Sequence, residues 1–149
     1  MQISPNVKAF LDMLSVSEGT AGKGEDGYNV LVSGSLFHDY TDHPRVHVNL
    51  GHGLISTAAG RYQVLERMYD AYKQMLGYHD FSPGSQDKIA LQLIKECRAL
   101  ADIEAGKIES AITKCRSRWA SLPGAGYGQH ENKISSLVAA YKKAGGGCT

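Results

Sequence analysis

The chain has 149 residues, and its 16 basic and 15 acidic side chains leave a formal net charge of +1. This balance argues against a general nucleic-acid binder, which needs an excess of positive charge. No apolar run approaches the roughly 18 residues of a membrane-spanning helix, and we expect neither membrane insertion nor a signal peptide. With 42% hydrophobic and 21% charged residues, the composition predicts one globular domain over residues 1–149.

The first predicted element is a helix with clear boundary signals. Ser4 can cap its N-terminus, Pro5 suits the first helical position, and Gly19 can end it. Spacings of four, three and four residues place four side chains on one face of this helix: Val7, Leu11, Leu14 and Glu18. A carboxyl group therefore ends an otherwise apolar stripe.

Glu18 is the candidate catalytic residue. Burial disfavours the charged carboxylate and raises its pKa, and the negative end of the helix dipole acts in the same direction. A carboxylic acid that keeps its proton near neutral pH can serve as the general acid in glycoside cleavage. The alternative is an ordinary solvent-exposed glutamate in the last helical turn.

Residues from about 20 to 57 predict a small β-rich lobe. Residues 28–32 are rich in β-branched and aromatic side chains and predict a strand. Residues 36–37 predict a short returning strand, and residues 46–48 a weaker third one. Residues 49–53 are rich in glycine and predict a loop.

Three acidic side chains of this lobe are candidates for a second catalytic carboxylate: Asp26, Asp39 and Asp42. Two-carboxylate glycosidases hold their acid and base about 5 to 9.5 Å apart. Aspartate is also a common turn residue, and nothing in the spacing singles out one of the three. The residues alone therefore leave open whether one of these aspartates acts with Glu18 in a hydrolytic reaction.

Histidines and cysteines carry weaker signals. The closest histidine group has no thiol or carboxylate at ligand spacing, so we expect no metal site and no cofactor there: His43, His47 and His52. The odd number of cysteines predicts reduced thiols rather than a disulfide framework: Cys97, Cys115 and Cys148.

The helical period returns from about residue 60. Further helices are predicted at about 62–76, 83–97, 108–116 and 134–141, with a short capped turn at Asp102. The last helix ends at glycines 145–147, and we expect residues 145–149 to form a flexible tail. One helix, a small β lobe and several more helices predict an α+β fold with the β part segregated. A cleft between the two parts suits an extended ligand.

Residues 122–128 hold a proline and three glycines and cannot form the interior of a helix. This loop carries Tyr127 among residues with almost no side chain. Its ring either stacks on the apolar face of a sugar or fills a gap in the core.

Five blocks of the sequence match a known family: Ser-Glu-Gly-Thr at 17–20, Gly-Tyr at 27–28, and residues 36–45, 56–63 and 119–129. Because of these blocks, the chain resembles the bacteriophage lambda endolysin family. The resemblance runs from Lys8 to Gly146, with the blocks in the same order. The resemblance implies a lysozyme-like fold, with a small β lobe, a larger helical lobe and the active-site cleft between them. It also implies a peptidoglycan lytic transglycosylase, which cleaves the β-1,4 bond between N-acetylmuramic acid and N-acetylglucosamine and leaves a 1,6-anhydro end.

The resemblance also implies which residues act. The catalytic glutamate of the Ser-Glu-Gly-Thr block falls on Glu18, and sugar-covering lips fall near residues 47–57 and 123–131. The positions expected to bind substrate are Ser56, Arg61, Tyr62, Gln63, Gly124 and Tyr127. The chain departs from the family in a shorter loop between residues 20 and 28, in histidines instead of lysines over 46–54, and in its C-terminal residues.

The resemblance implies a biological setting as well. We expect a monomer that acts on peptidoglycan glycan strands, accumulates in the host cytoplasm and reaches the periplasm and cell wall through lesions made by a holin. A hydrolytic muramidase that pairs Glu18 with a second carboxylate is the nearest alternative. A non-catalytic murein-binding module is an alternative of a different class.

Overall fold

The computed structural model describes residues 3–128 and 130–149. Within those residues the chain forms six helices and one two-stranded antiparallel sheet. The elements in chain order are α1 (Pro5–Ser17), β1 (Val48–Gly51), β2 (Leu54–Ser56), α2 (Glu66–Leu76), α3 (Pro83–Glu96), α4 (Leu100–Glu104), α5 (Ile108–Cys115) and α6 (Ile134–Lys143). The α+β class predicted from the sequence is confirmed.

The chain divides into two compact units. We call residues up to Gly19 together with Leu91–Thr149 the helical unit, and Thr20–Ala90 the mixed unit. The division of the sequence into one catalytic domain stays a prediction. Among the described residues, no helix combines the length and the apolar character that crossing a membrane requires.

In the helical unit, α1 begins as its sequence predicts. The Ser4 hydroxyl accepts the Val7 N–H at 3.1 Å, and Pro5 is the first helical residue. The helix packs against α4 and α6, and α5 packs against the same two helices. Large apolar side chains with less than 2% exposure mark the core of this unit: Phe10, Met13, Leu14, Ile94, Ile103, Ile112 and Tyr141.

The C-terminal residues contact the rest of the helical unit. The Tyr141 hydroxyl donates to the Gly147 carbonyl at 2.8 Å, and the Gly147 N–H donates to the Asn6 side chain at 2.9 Å. The Thr149 N–H donates to the Gly106 carbonyl at 3.2 Å. The flexibility predicted for residues 145–149 stays a prediction.

In the mixed unit, the prediction of a strand at residues 28–32 is wrong, because these residues do not form a regular strand. Val30 pairs with Leu36, and Leu31 with Ala59, only as isolated bridges. The chain reverses direction just after them, at Gly34, where φ is +90°. A reversal so close to these two bridges leaves too few residues for a continuous ladder of strand hydrogen bonds, although the side chains have strand propensity.

The loop predicted at residues 49–53 is confirmed only for the turn at residues 52–53, because residues 49–51 belong to β1 of a hairpin. β1 and β2 pair in antiparallel register, with Val48 opposite Ser56. Gly51 and Gly53 adopt φ of +88° and +76°, which lets the chain turn tightly between the strands.

The helix predicted from about residue 62 begins later, at Glu66. Gly60 and Gln63 adopt φ of +82° and +53°, in the left-handed region, so the chain turns before α2 can start. The helix ends as predicted at Gly77, whose φ is +69°. Asp102, predicted to cap a turn, lies instead inside the short helix α4.

Candidate active site

Glu18 directly follows the last residue of α1, and its N–H still donates to the Leu14 carbonyl at 2.8 Å. The apolar residues of its stripe are buried as predicted, with 3% exposure or less for Val7, Leu11 and Leu14. The Glu18 side chain is itself partly buried. Burial raises its pKa to about 6, and a hydrogen bond from Ser121 opposes this rise. The direction is the one that the sequence predicts for an acid at the end of an apolar stripe.

Two serines stand next to the carboxyl group. The Ser121 hydroxyl donates to Glu18 Oε2 at 2.5 Å. The Ser17 hydroxyl lies 2.7 Å from the Ser121 hydroxyl, so the three groups form one hydrogen-bonded row. Sequence reasoning missed both serines, although Ser17 precedes Glu18 and Ser121 lies in the matched block at 119–129.

Asn132 forms the far end of this row. Its side-chain Nδ2 donates to the Ser17 carbonyl at 3.0 Å, to the Ser17 hydroxyl at 3.2 Å and to the Ser121 carbonyl at 3.3 Å. Its backbone N–H donates to the same Ser121 carbonyl at 2.8 Å. No local pattern points to Asn132, because it is 115 residues from Ser17 in the chain.

The loop that carries Tyr127 is tied down by Glu131. The Glu131 carboxylate accepts the N–H of Gly126 at 3.0 Å and that of Gly124 at 2.9 Å, and these bonds lower its pKa. The Tyr127 hydroxyl donates to the Ser117 carbonyl at 2.9 Å, while 57% of the residue stays exposed. The alternative that Tyr127 fills a core gap is therefore wrong.

Two of the predicted substrate-binding side chains, Arg61 and Tyr62, have internal partners in the mixed unit. Arg61 Nε donates to the Asp26 carbonyl at 3.1 Å, and Arg61 Nη1 donates to the Tyr62 hydroxyl at 3.1 Å. The Tyr62 hydroxyl donates to Asp87 at 2.6 Å. Exposure is only 6% for Arg61 and 2% for Tyr62, so both side chains are buried within the mixed unit.

Gln63 and Ser56 also make local hydrogen bonds. Gln63 Nε2 donates to the Gly60 carbonyl at 2.9 Å and to the Val30 carbonyl at 3.2 Å. Ser56, the last residue of β2, accepts the Ala58 N–H at 3.2 Å and is partly exposed. The role of these residues and of Gly124 in binding sugar stays a prediction.

The three candidate second carboxylates lie in the mixed unit. Each accepts a hydrogen bond from a nearby residue: Asp26 from the Gly22 N–H at 3.1 Å, Asp39 from the Thr41 N–H at 2.9 Å and Asp42 from Arg45 Nε at 2.8 Å. The backbone bond from Thr41 lowers the pKa of Asp39, and the Arg45 guanidinium lowers that of Asp42. These are the turn and surface roles that aspartate commonly takes.

The cysteines are free thiols, as predicted. Burial raises the pKa of Cys115, so its reactive thiolate form is disfavoured. Within residues 3–128 and 130–149, no group of three or more His, Cys, Asp or Glu side chains is arranged to hold a metal ion.

Known proteins resemble this chain over nearly its whole length. The family model described as Endolysin matches residues 8–148. The endolysin of Escherichia phage lambda is 55% identical over an alignment of 150 positions, which covers 98% of this chain and 95% of that protein. The endolysin of Escherichia phage P2 is 51% identical over 154 residues, covering 95% of this chain and 93% of that protein.

The same resemblance holds for solved structures. Bacteriophage lambda lysozyme, complexed with a chitohexasaccharide, gives a TM-score of 0.97 at 54% identity, with coverage of 100% of this chain and 99% of that one. A second structure, lysozyme from bacteriophage lambda, gives a TM-score of 0.92 with the same identity and coverage. The lysozyme-like fold implied by the sequence is confirmed.

The raised pKa of Glu18 predicts a pH-dependent gain in stability when the charge is removed. The folded protein binds this proton more readily than the unfolded chain, whose glutamate has a pKa near 4.5. The ionised side chain therefore destabilises the folded state above pH 6, by at most about 2 kcal/mol. Urea unfolding of Glu18→Gln should show a higher free energy of unfolding than the natural protein at pH 7.5, and no difference at pH 4. A variant that is no more stable at pH 7.5 would contradict the raised pKa.

The contacts of Glu131 predict a local loosening when it is replaced. Glu131→Ala removes the acceptor for two loop N–H groups, so amide hydrogen exchange at Gly124 and Gly126 should accelerate by about tenfold. Glu109→Ala, at an exposed site in the first turn of α5, is the matched control and should leave both rates unchanged. Equal exchange rates in the two variants would show that Glu131 does not hold the loop.

Proposed function

Because the chain belongs to the endolysin family, whose enzymes degrade peptidoglycan in cell lysis, we propose that it acts as a lytic transglycosylase with Glu18 as its acid and base. The observation that carries this proposal is a single partly buried carboxyl group with a pKa of about 6. At pH 7 about one tenth of such a group is protonated, far more than of an ordinary glutamate.

The reaction needs one proton donor that later becomes a proton acceptor. Protonated Glu18 donates to the glycosidic oxygen as the bond from that oxygen to C1 of N-acetylmuramic acid breaks. The Glu18 carboxylate then takes the proton of the C6 hydroxyl as the C6 oxygen attacks C1. The new C1–O6 bond closes a 1,6-anhydro ring, no water is consumed, and Glu18 regains its proton.

This mechanism accounts for the lack of an obvious second acid. The attacking hydroxyl belongs to the substrate, so its effective concentration is high and no second carboxylate is needed to activate water. The local bonds of Asp26, Asp39 and Asp42 support this reading, since each already stabilises a turn or an ion pair. A hydrolytic muramidase would require one of the three to be available for a water molecule.

The proposed substrate is a peptidoglycan glycan strand. The lambda lysozyme whose fold this chain shares was solved with a chitohexasaccharide, and we extend sugar binding to this chain by that similarity. The exposed ring of Tyr127 offers an apolar face on which a pyranose can stack. Ser56 offers a hydroxyl for hydrogen bonds, and Gly124 offers an exposed backbone on the same loop as Tyr127.

The remaining candidate residues fit supporting roles in this proposal. Arg61 and Tyr62 support the turn that contains Gln63, a partly buried residue. No cofactor and no metal ion takes part in the proposed reaction. We propose that residues 1–149 act as one catalytic domain and as a monomer, with a β-rich part at about 20–57 and a flexible tail at 145–149.

The proposed setting follows from family membership. The enzyme accumulates in the cytoplasm of the host and reaches the periplasm and cell wall once a holin has opened the membrane. Its partner there is the glycan strand, and neither nucleic acid nor insertion into a membrane is part of the proposal.

The mass of the digestion products tests the reaction type. Purified murein treated with the natural protein should release muropeptides with 1,6-anhydro ends, which are lighter by one water than reducing ends. Glu18→Gln should lose at least about a thousandfold in rate, because it removes the only proposed proton donor. The variant should stay folded and still bind murein.

The other outcomes separate the alternatives. Release of muropeptides with reducing ends would show that the protein is a hydrolytic muramidase and not a transglycosylase. The variants Asp26→Asn and Asp39→Asn would then identify the second carboxylate. Binding of murein without any released product would indicate a non-catalytic module. Full activity in Glu18→Gln would end the assignment of Glu18.

A further inference from the structure

The row of hydrogen bonds behind Glu18 has a defined direction, and its origin is the side chain of Asn132. Asn132 faces two carbonyl oxygens, those of Ser17 and Ser121. Carbonyl oxygens only accept hydrogen bonds, so the atom that faces them is the NH₂ group and not the amide oxygen. The same NH₂ group is 3.2 Å from the Ser17 hydroxyl oxygen. An amide nitrogen does not accept, so Ser17 is the acceptor in this contact, and one of the two N–H protons is shared between two of the three acceptors.

This fixed donor determines the next two hydroxyl groups. The Ser17 oxygen already accepts from Asn132, and the neighbour left for its own proton is the Ser121 oxygen at 2.7 Å. Ser121 then accepts from Ser17 and has its own proton free for Glu18 Oε2 at 2.5 Å. In the opposite direction, Ser17 would accept from both neighbours. Its proton would then have no acceptor among the hydrogen bonds of the described residues, a costly arrangement for a residue with 7% exposure.

We propose that Asn132, Ser17 and Ser121 are positioning residues that direct a donor onto Oε2 of Glu18 and so keep its transferable proton on Oε1. The inference rests on the proposed function of Glu18 and adds to it which oxygen does the chemistry. Oε2 accepts from Ser121 in both protonation states, as one oxygen of the carboxylate and as the carbonyl oxygen of the acid. Oε1 then gives its proton to the glycosidic oxygen and later receives one from the C6 hydroxyl.

The directed row also explains how one residue serves two roles in turn. An acid must give up its proton readily, and a base must not hold it too tightly, so both limits favour a pKa near the working pH. Burial alone disfavours the carboxylate, whereas the donor from Ser121 stabilises it. The two influences together place the pKa of Glu18 at about 6.

A titration of the Glu18 carboxyl carbon by ¹³C NMR in the full-length protein tests the row without reference to the reaction. Ser121→Ala should raise the midpoint by about one pH unit, because the ionised form loses a donor. Ser17→Ala should raise it in the same direction, and the double variant should match Ser121→Ala because the two groups act in series. Ser121→Thr keeps a hydroxyl and should keep the natural midpoint.

The location of the proton has a separate readout. At pH 4 the carbonyl stretching band of protonated Glu18, identified by its absence in Glu18→Gln, should move to higher wavenumber in Ser121→Ala, since the carbonyl oxygen loses its donor. An unmoved band would show that the proton sits on Oε2 and is donated to Ser121. A Ser17→Ala variant with an unchanged midpoint would also overturn the proposal.

These results are distinguishable from a failure of the proposed function. Reducing ends in the murein digest, together with the predicted shifts, would leave the row in place and change only the reaction that Glu18 performs. Anhydro ends together with an unchanged titration would keep the transglycosylase and remove the roles of Ser17 and Ser121.

Discussion

The hydrogen bond from Ser121 to Glu18 opposes the burial of the same carboxyl group, and the chemistry proposed here depends on that opposition. Burial alone would hold the proton too firmly for Glu18 to become a base after bond cleavage. A fully solvated carboxyl group would have lost its proton before substrate arrived. The pKa of about 6 lies between these extremes. The position of Glu18 directly after α1 makes the arrangement possible, because the buried stripe of the helix fixes the backbone on which the carboxyl group sits.

A short segment of the helical unit supports two features of the site. Glu131 accepts the N–H groups that shape the loop of Tyr127, and the adjacent Asn132 anchors the row of hydroxyl groups that ends at Glu18. The loop that carries Tyr127 and the Glu18 carboxyl group are therefore tied to neighbouring residues of one segment. A change in this segment is expected to affect both the exposed ring of Tyr127 and the hydrogen bonds that end at Glu18.

The features that sequence reasoning predicted well are those set by neighbouring residues. The cap at Ser4, the proline at the first helical position and the apolar stripe that ends at Glu18 all act within a few turns of one helix. The strand expected at residues 28–32 failed because strand propensity competes with a chain reversal at Gly34. Ser121 is 103 residues from Glu18, and such a contact depends on packing of whole elements, which no local pattern encodes. Burial is a second property that the sequence does not give. The family motif marks both Arg61 and Tyr127, but Arg61 is buried with internal partners whereas Tyr127 is exposed.

The proposed chemistry requires Glu18 to exchange its proton near neutral pH while the folded chain holds it. The most direct measurement is a ¹³C NMR titration of its carboxyl carbon in the natural protein, repeated with a bound chitooligosaccharide. We expect a midpoint near pH 6 in the free protein and one at least as high with the sugar bound, since sugar excludes water from the carboxyl group. A midpoint near the ordinary value for glutamate in both states, about 4.3, would show that the folded chain does not keep the Glu18 proton near neutral pH.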